Sequence, residues 1–317
     1  MPSLLILIFL LTIPISKAQA ESLNSSTIIE EIPENERTWE RLFINSNIAI
    51  SEWFDSASDG LDLFLAGRRV TKTKNQTRVR VENSTFSTEG ASVQNNTGFN
   101  VGLNLPNVEK YWHLKFSSYD DREENRNLKT SYLRQTPREE NYGASIGVFK
   151  KLGKIRASFE PRIELTDPLK VSHSIQFESV ANMKGYRINP KLEFFASPTK
   201  GVGTFQRINF FFQLNKIFNL TLINEGEYQE RIRTYTVNQG FSFGQTLGKK
   251  RALSYTTLFT SSNRPHYRLE ATNISVGYNE VIYKRILDYQ IIPNYEWARI
   301  EKFRGRWGLT LNLNLTF

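Results

Sequence analysis

The chain has 317 residues, a formal charge of +9, three histidines and no cysteine. A disulfide scaffold and thiol chemistry are thereby excluded, and any imidazole-based site must be built from His113, His173 or His266. Mean hydropathy is −0.44, and beyond residue 15 no apolar run approaches the roughly 18 residues of a transmembrane helix.

In chain order, the first feature is the apolar run LLILIFLLTIPI at residues 4–15, followed by Ala18, Gln19 and Ala20. The run is too short to span a bilayer as a helix, and the small-x-small pattern marks a cleavage site, so residues 1–20 read as a signal peptide removed after Ala20. It departs from the usual pattern because no Lys or Arg precedes the run. A membrane anchor is the alternative.

An acidic segment, 21–75, comes next. Residues 21–66 carry ten acids against Arg37 and Arg41, so once Lys17 leaves with the signal peptide, residues 67–317 carry +16. Within it Glu52, Asp55, Asp59 and Asp62 recur at spacings that place them on one stripe of an α-helix. Ile50, Trp53, Phe54, Ala57, Leu61, Phe64 and Leu65 fall on the other side. Gly60 weakens this amphipathic helix, whose start lies as early as residue 36.

From residue 76 the period changes from helical to two. Alternating segments predict strands at 76–86, 97–106, 110–119, 140–150, 154–164, 170–181, 185–196, 203–214, 218–228, 234–247, 251–261, 266–282, 286–299 and 304–317. That is fourteen, or twelve if a hairpin merges. Apolar faces are regular, as in Phe99, Val101, Leu103 and Leu105, or Ile208, Phe210, Phe212 and Leu214. The phase slips between Leu269, Ala271 and Ile274, Val276, which predicts a bulge. Connections alternate strictly between short ones, such as KKLGK, NMKG and GKKR, and longer or more polar ones, of which the longest is about 119–140.

The last strand reads LTLNLNLTF. Leu309, Leu311, Leu313, Leu315 and Phe317 share one face with Trp307, and polar residues share the other. With the signal peptide and the alternating strands, this end resembles a Gram-negative outer-membrane β-barrel of no identified subfamily. The resemblance implies an all-β, transmembrane, antiparallel up-and-down barrel at 76–317, with the terminal strand read by the barrel assembly machinery. It also makes 21–75 periplasmic and places the chain in the bacterial outer membrane, against lipid and lipopolysaccharide.

Short turns then lie on the periplasmic side. They hold Lys110, Lys150, Lys151, Lys154, Lys184, Lys216, Lys249, Lys250, Arg251, Lys284 and Arg285, with Glu109 the one acid nearby. Against this basic rim the helix is expected to dock by Glu52, Asp55, Asp59 and Asp62 and to restrict passage; a solvated or lipid-surface helix is the alternative. The inward phase predicts lumen-lining residues Arg78, Arg80, Glu82, His113, Lys115, Arg156, Arg162, Arg187, Lys191, Arg207, Asp288, Glu296 and Arg306, with further acids Glu160, Glu178, Glu193 and Glu225. Trp and Tyr residues near strand ends, among them Tyr295, Trp297 and Trp307, fit interfacial girdles.

The expected function is a porin-like channel for small solutes with a weak anion preference. The competing expectation is a non-conducting structural or surface-interaction barrel that uses the 119–140 loop outside. Enzymatic activity is not expected: His173 and Ser174 are adjacent on a strand and point to opposite faces, and no metal spacing or nucleophile turn is present. No cofactor, metal or nucleic-acid partner is implied, and the oligomeric state is open.

Overall fold

The computed structural model describes residues 38–66, 77–104, 112–131, 141–283 and 286–317. The signal-peptide reading of residues 1–20 and the turn residues Glu109, Lys110, Lys284 and Arg285 lie outside the described residues.

Helix α1 runs Thr38–Ala66. The wall consists of β1 Arg78–Thr88, β2 Gln94–Asn104, β3 Trp112–Ser117, β4 Gly143–Leu152, β5 Ile155–Glu164, β6 Lys170–Ser179, β7 Tyr186–Ser197, β8 Gly201–Gln213, β9 Phe218–Gln229, β10 Thr234–Thr246, β11 Arg251–Ser262, β12 Arg268–Tyr283, β13 Leu287–Ala298 and β14 Gly305–Thr316. After a break at Val180, β6 resumes for two residues, Ala181–Asn182. Each strand pairs antiparallel with its neighbour in sequence, and β1 pairs with β14 from Arg80↔Thr316 to Thr88↔Gly308. Fourteen strands therefore close into one ring. Phe317 completes the seam, donating its amide to the Val79 carbonyl at 2.8 Å. Closure gives every strand a partner on both sides among the described residues, the condition for a sheet to stand in hydrocarbon.

The alternation seen in the sequence becomes an inverted burial pattern. On β14, Leu311 and Leu313 are 40% and 38% exposed while Asn314 is 1% exposed. Apolar side chains face out and polar ones in, which suits lipid outside and hydrogen bonding inside. The inner polar groups bond across strands: Ser84 Oγ donates to Asn312 Oδ1 at 2.8 Å, Asn312 Nδ2 to Gln290 Oε1 at 3.2 Å, and Asn314 Nδ2 to Asp288 Oδ1 at 2.6 Å. The expected bulge lies on β12, where Thr260 pairs with Ala271 and Ser261 with Leu269, leaving Glu270 as the extra residue.

Of the strand boundaries that differ from expectation by a few residues, two have local reasons. Strand β2 begins at Gln94, three residues early, because Asn95 exchanges side-chain hydrogen bonds with Asn83, 3.0 Å each way. Strand β3 ends at Ser117, where Ser117 Oγ donates to the Tyr119 carbonyl at 2.6 Å and the chain leaves the wall.

Candidate functional site

Beyond Ser117 the chain enters the ring. Asp120 caps a four-residue helix, α2 Asp121–Glu124, its carboxylate accepting from the Arg122 and Glu123 amides. A second short helix, α3 Leu128–Ser131, follows. This corrects the expectation of an external 119–140 loop: the described part, to residue 131, is tied inside the ring to β3, β5, β6, β7, β9 and β13.

The ties are mostly charged. Arg122 Nη2 is 2.7 Å from Asp120 Oδ2, and the same guanidinium donates to the Glu160 carbonyl of β5 and to Ser172 Oγ of β6. Lys115 lies 3.3 Å from Asp121 and 3.8 Å from Glu160. Arg126 lies 2.9 Å from Glu193 of β7, with its guanidinium 3.7 Å from the centre of the Phe195 ring. The Leu128 amide donates to Glu225 of β9 at 2.9 Å, and Lys129 reaches Glu296 of β13 at 3.1 Å. Lys200 pairs with Glu123. The Leu128 side chain packs against Ile223, Leu258 and Ile292, three buried apolar residues on the inward phase of β9, β11 and β13.

Burial of two ions without partners would be costly, so the pairing determines whether this segment can sit here at all. At Asp120 burial alone would push the carboxyl up, but the Arg122 guanidinium bonded to it holds it below the usual carboxylate range. Burial likewise works against the Arg122 charge, yet Asp120 keeps that guanidinium more firmly protonated than usual.

Away from these ties, a cavity of about 450 Å³ separates the segment from the opposite wall. It is lined by Arg78, Arg80 and Glu82 of β1, Asn100 and Gly102 of β2, Lys115, Gln290 of β13 and Asn312 of β14, and by Tyr119, Glu124, Asn125 and Ser131 of the segment. Arg80 is exposed and 4.0 Å from the buried Glu82.

The other predicted lumen residues occupy scattered places. Arg162 is fully buried, donating to Ser117 Oγ at 2.8 Å and to the Asn141 carbonyl. Lys191 lies 3.0 Å from Glu193, and Arg207 is in register with Glu225. Asp288 accepts from Asn314, Arg187 stacks on Phe211 at 4.7 Å, and Arg306 pairs with Glu301 at 3.3 Å, beside the 299–304 connection. His113 and Arg156 adjoin a second cavity at the short-turn end. His173 is exposed on the outward phase while Ser174 is buried on the inward one, so the two do not meet. Among the described residues no cluster of His, Asp or Glu is placed to hold a metal ion.

The helix contacts are of another kind. Asn47 Nδ2 donates to the Thr316 carbonyl at 3.0 Å, and Asp55 accepts from the Thr77 amide at 2.9 Å. Both partners are backbone groups beside the β1–β14 seam at its short-turn end. Asp62 is buried, Asp59 half-buried and Glu52 exposed. Sequence reasoning missed the inward segment although it held a signal: the inward acids concentrate on β7, β9 and β13, and the cations that meet them are Arg126 and Lys129.

No family model matches the chain, and no curated protein matches it in sequence. Solved structures of barrels resemble it. A KdgM porin is 7% identical with a TM-score of 0.39, over 75% of this chain and 99% of its own. The outer-membrane channel DcaP of Acinetobacter baumannii is 6% identical with a TM-score of 0.46, over 77% of this chain and 97% of its own. OmpT of Vibrio cholerae is 6% identical with a TM-score of 0.42, over 78% and 100%. At such values the likeness carries no functional argument, which rests instead on this chain's own geometry.

Proposed function

We propose that this protein is an outer-membrane channel for small solutes, narrowed by the segment 118–131. The observation that carries this reading is the cavity of about 450 Å³ left between that segment and the β13–β14–β1–β2–β3 wall. A ring of this size is wider than the eight-strand case that side chains alone can fill, so an inserted segment is what reduces the opening. Arg78 and Arg80 on the free wall support a weak preference for anions. The apolar outer face supports residence in a membrane, and the apolar run at 4–15, read as a signal peptide, together with the terminal strand, Leu309 to Phe317, supports export and assembly in the outer one.

The helix has a secondary place in this proposal. Held at the seam through Asn47 and Asp55, it restricts the periplasmic mouth without filling the lumen. A non-conducting barrel is the second reading, supported by the density of ion pairs across the lumen.

Planar-bilayer recording on purified protein tests both. Stepwise conductance with an anion-directed reversal potential in a salt gradient is the expected result. A folded barrel that inserts without current favours the second reading, and a cation-directed potential removes the role given to Arg78 and Arg80.

A further inference from the structure

We propose that the short-turn end of the β3–β4–β5 wall holds a binding site for a phosphate-bearing anion, formed by His113, Phe149, Lys151, Lys154 and Arg156. A cavity of about 320 Å³ opens there, lined by these side chains together with Lys150 and Ile155. That volume is at the small end of ligand sites, enough for a phosphate with a modest organic group.

The hairpin between β4 and β5 builds the site. Leu152 pairs with Ile155, so two residues make the turn, and Gly153 supplies the positive φ of 62° that a tight hairpin needs. The same register sets Lys151 opposite Arg156 on the inward phase, with Lys154 at the tip. Phe149 lies back over Gly147, where a Cβ would come within 2.8 Å of its ring. The Arg156 guanidinium stacks on that ring 4.4 Å from its centre, and His113 meets the ring edge-on at 4.9 Å. Stacking holds the guanidinium flat while leaving its N–H edge to donate, an arrangement suited to phosphate oxygens.

Charge is the second line of argument. Among the described residues the lining includes no carboxylate, and Arg156 has Glu178 at 3.9 Å. Among the described residues the ammonium groups of Lys150, Lys151 and Lys154 pair with no acid. Deeper in the ring the cations Lys115, Arg122, Arg126, Lys129 and Lys191 all meet carboxylates. Cations gathered without acids repel one another, and a bound dianion relieves that repulsion. A phosphate, with three acceptor oxygens, can serve the Arg156 fork and two lysines together.

Isothermal titration calorimetry of the full chain in nonionic detergent, with inorganic phosphate as the probe, is expected to show one saturable site. In Lys151→Gln/Arg156→Gln the Kd should rise about tenfold or more. Lys249→Gln, in another short turn, should change it less than about twofold. If the double variant does not fold, Lys151→Gln alone carries the test, and Lys151→Arg should retain binding. A second arm separates a soluble ligand from a lipid headgroup: native mass spectrometry from nanodiscs containing phosphatidylglycerol. Loss of retained lipid in the variant, without phosphate titration, assigns the site to a headgroup. No saturable phosphate and no difference in retained lipid overturns the proposal. The result is independent of conductance: a conducting barrel that fails both arms defeats this site and leaves the channel standing, and a silent barrel that passes either does the reverse.

Discussion

Two elements outside the wall are attached to it by opposite means. The segment 118–131 is held by side-chain charges that reach β5, β6, β7, β9 and β13, several of them fully enclosed. Helix α1, from Asn47 onward, is held by hydrogen bonds to backbone groups at the ends of β1 and β14. From Asn47 onward its buried residues are polar, Asn47, Ser58 and Asp62, whereas Trp53 is 65% exposed and Ile48 47%. The difference shows which element the lumen specifies. Enclosed ion pairs demand matched partners at set positions on several strands, while a backbone carbonyl or amide at a strand end can bond many side chains.

That contrast can be broken in order of expected effect. Replacing residues 120–131 by a short Gly/Ser linker should raise single-channel conductance by about twofold or more, since twelve- to fourteen-strand rings have room that the segment now fills. Unchanged conductance would mean that the segment is not the constriction. Next comes Glu193→Ala, which strands Arg126 where both side chains are nearly inaccessible. A loss of about 3 kcal/mol is expected for breaking such a pair, read as a lower denaturation midpoint and as flickering current. A steady trace with an unchanged midpoint would show that Glu227, 3.7 Å from Arg126, suffices alone.

Acid sharpens the comparison further. Because Asp120 titrates below its unfolded value, its stabilising effect is complete above the unfolded pKa and is lost as pH falls through the lower folded one. Release of the segment, seen as larger and noisier currents, is therefore expected only below about pH 3.9. Asp120→Asn should bring it to neutral pH, and release of the unmodified protein already near pH 6 would contradict the assignment of Asp120. The smallest effect belongs to the helix. Asp55→Ala removes one partly buried hydrogen bond, worth about 1 kcal/mol, and deletion of 21–66 should alter conductance less than the 120–131 replacement does. A larger change on deleting the helix would reverse the ranking of the two elements.

The wall was legible in the sequence. All fourteen predicted strands form, and a bulge falls in the predicted segment, at Glu270 just ahead of the expected slip. Each of these is a repeated local pattern: a side chain two residues away already reports the same face. The interior was much less legible. Arg122, Arg126 and Lys129 look in sequence like any polar outer loop, since water and a charged lumen satisfy them equally well. Arg126 and Lys129 find their partners far along the chain, with Lys129 and Glu296 separated by 167 residues. Ile223, Leu258 and Ile292 gave a faint hint, as apolar residues on an inward phase where polar ones prevail, but no local rule says what covers them. In the second cavity, His113 and Arg156 were assigned inward, whereas their grouping with Phe149 and Lys151 depends on the register of three strands.

Strand phase, the segment that bulges and the contrast between an acidic leading segment and a basic wall are properties that alternation and composition settle locally, so the sequence alone determined them, whereas fourteen strands instead of twelve came with closure. Which loop turns inward, which side of the lumen stays open and which cations are left without acids were decided only by ring closure. Closure brings strands distant in sequence to fixed facing positions, and there each buried charge either finds its partner or lacks one.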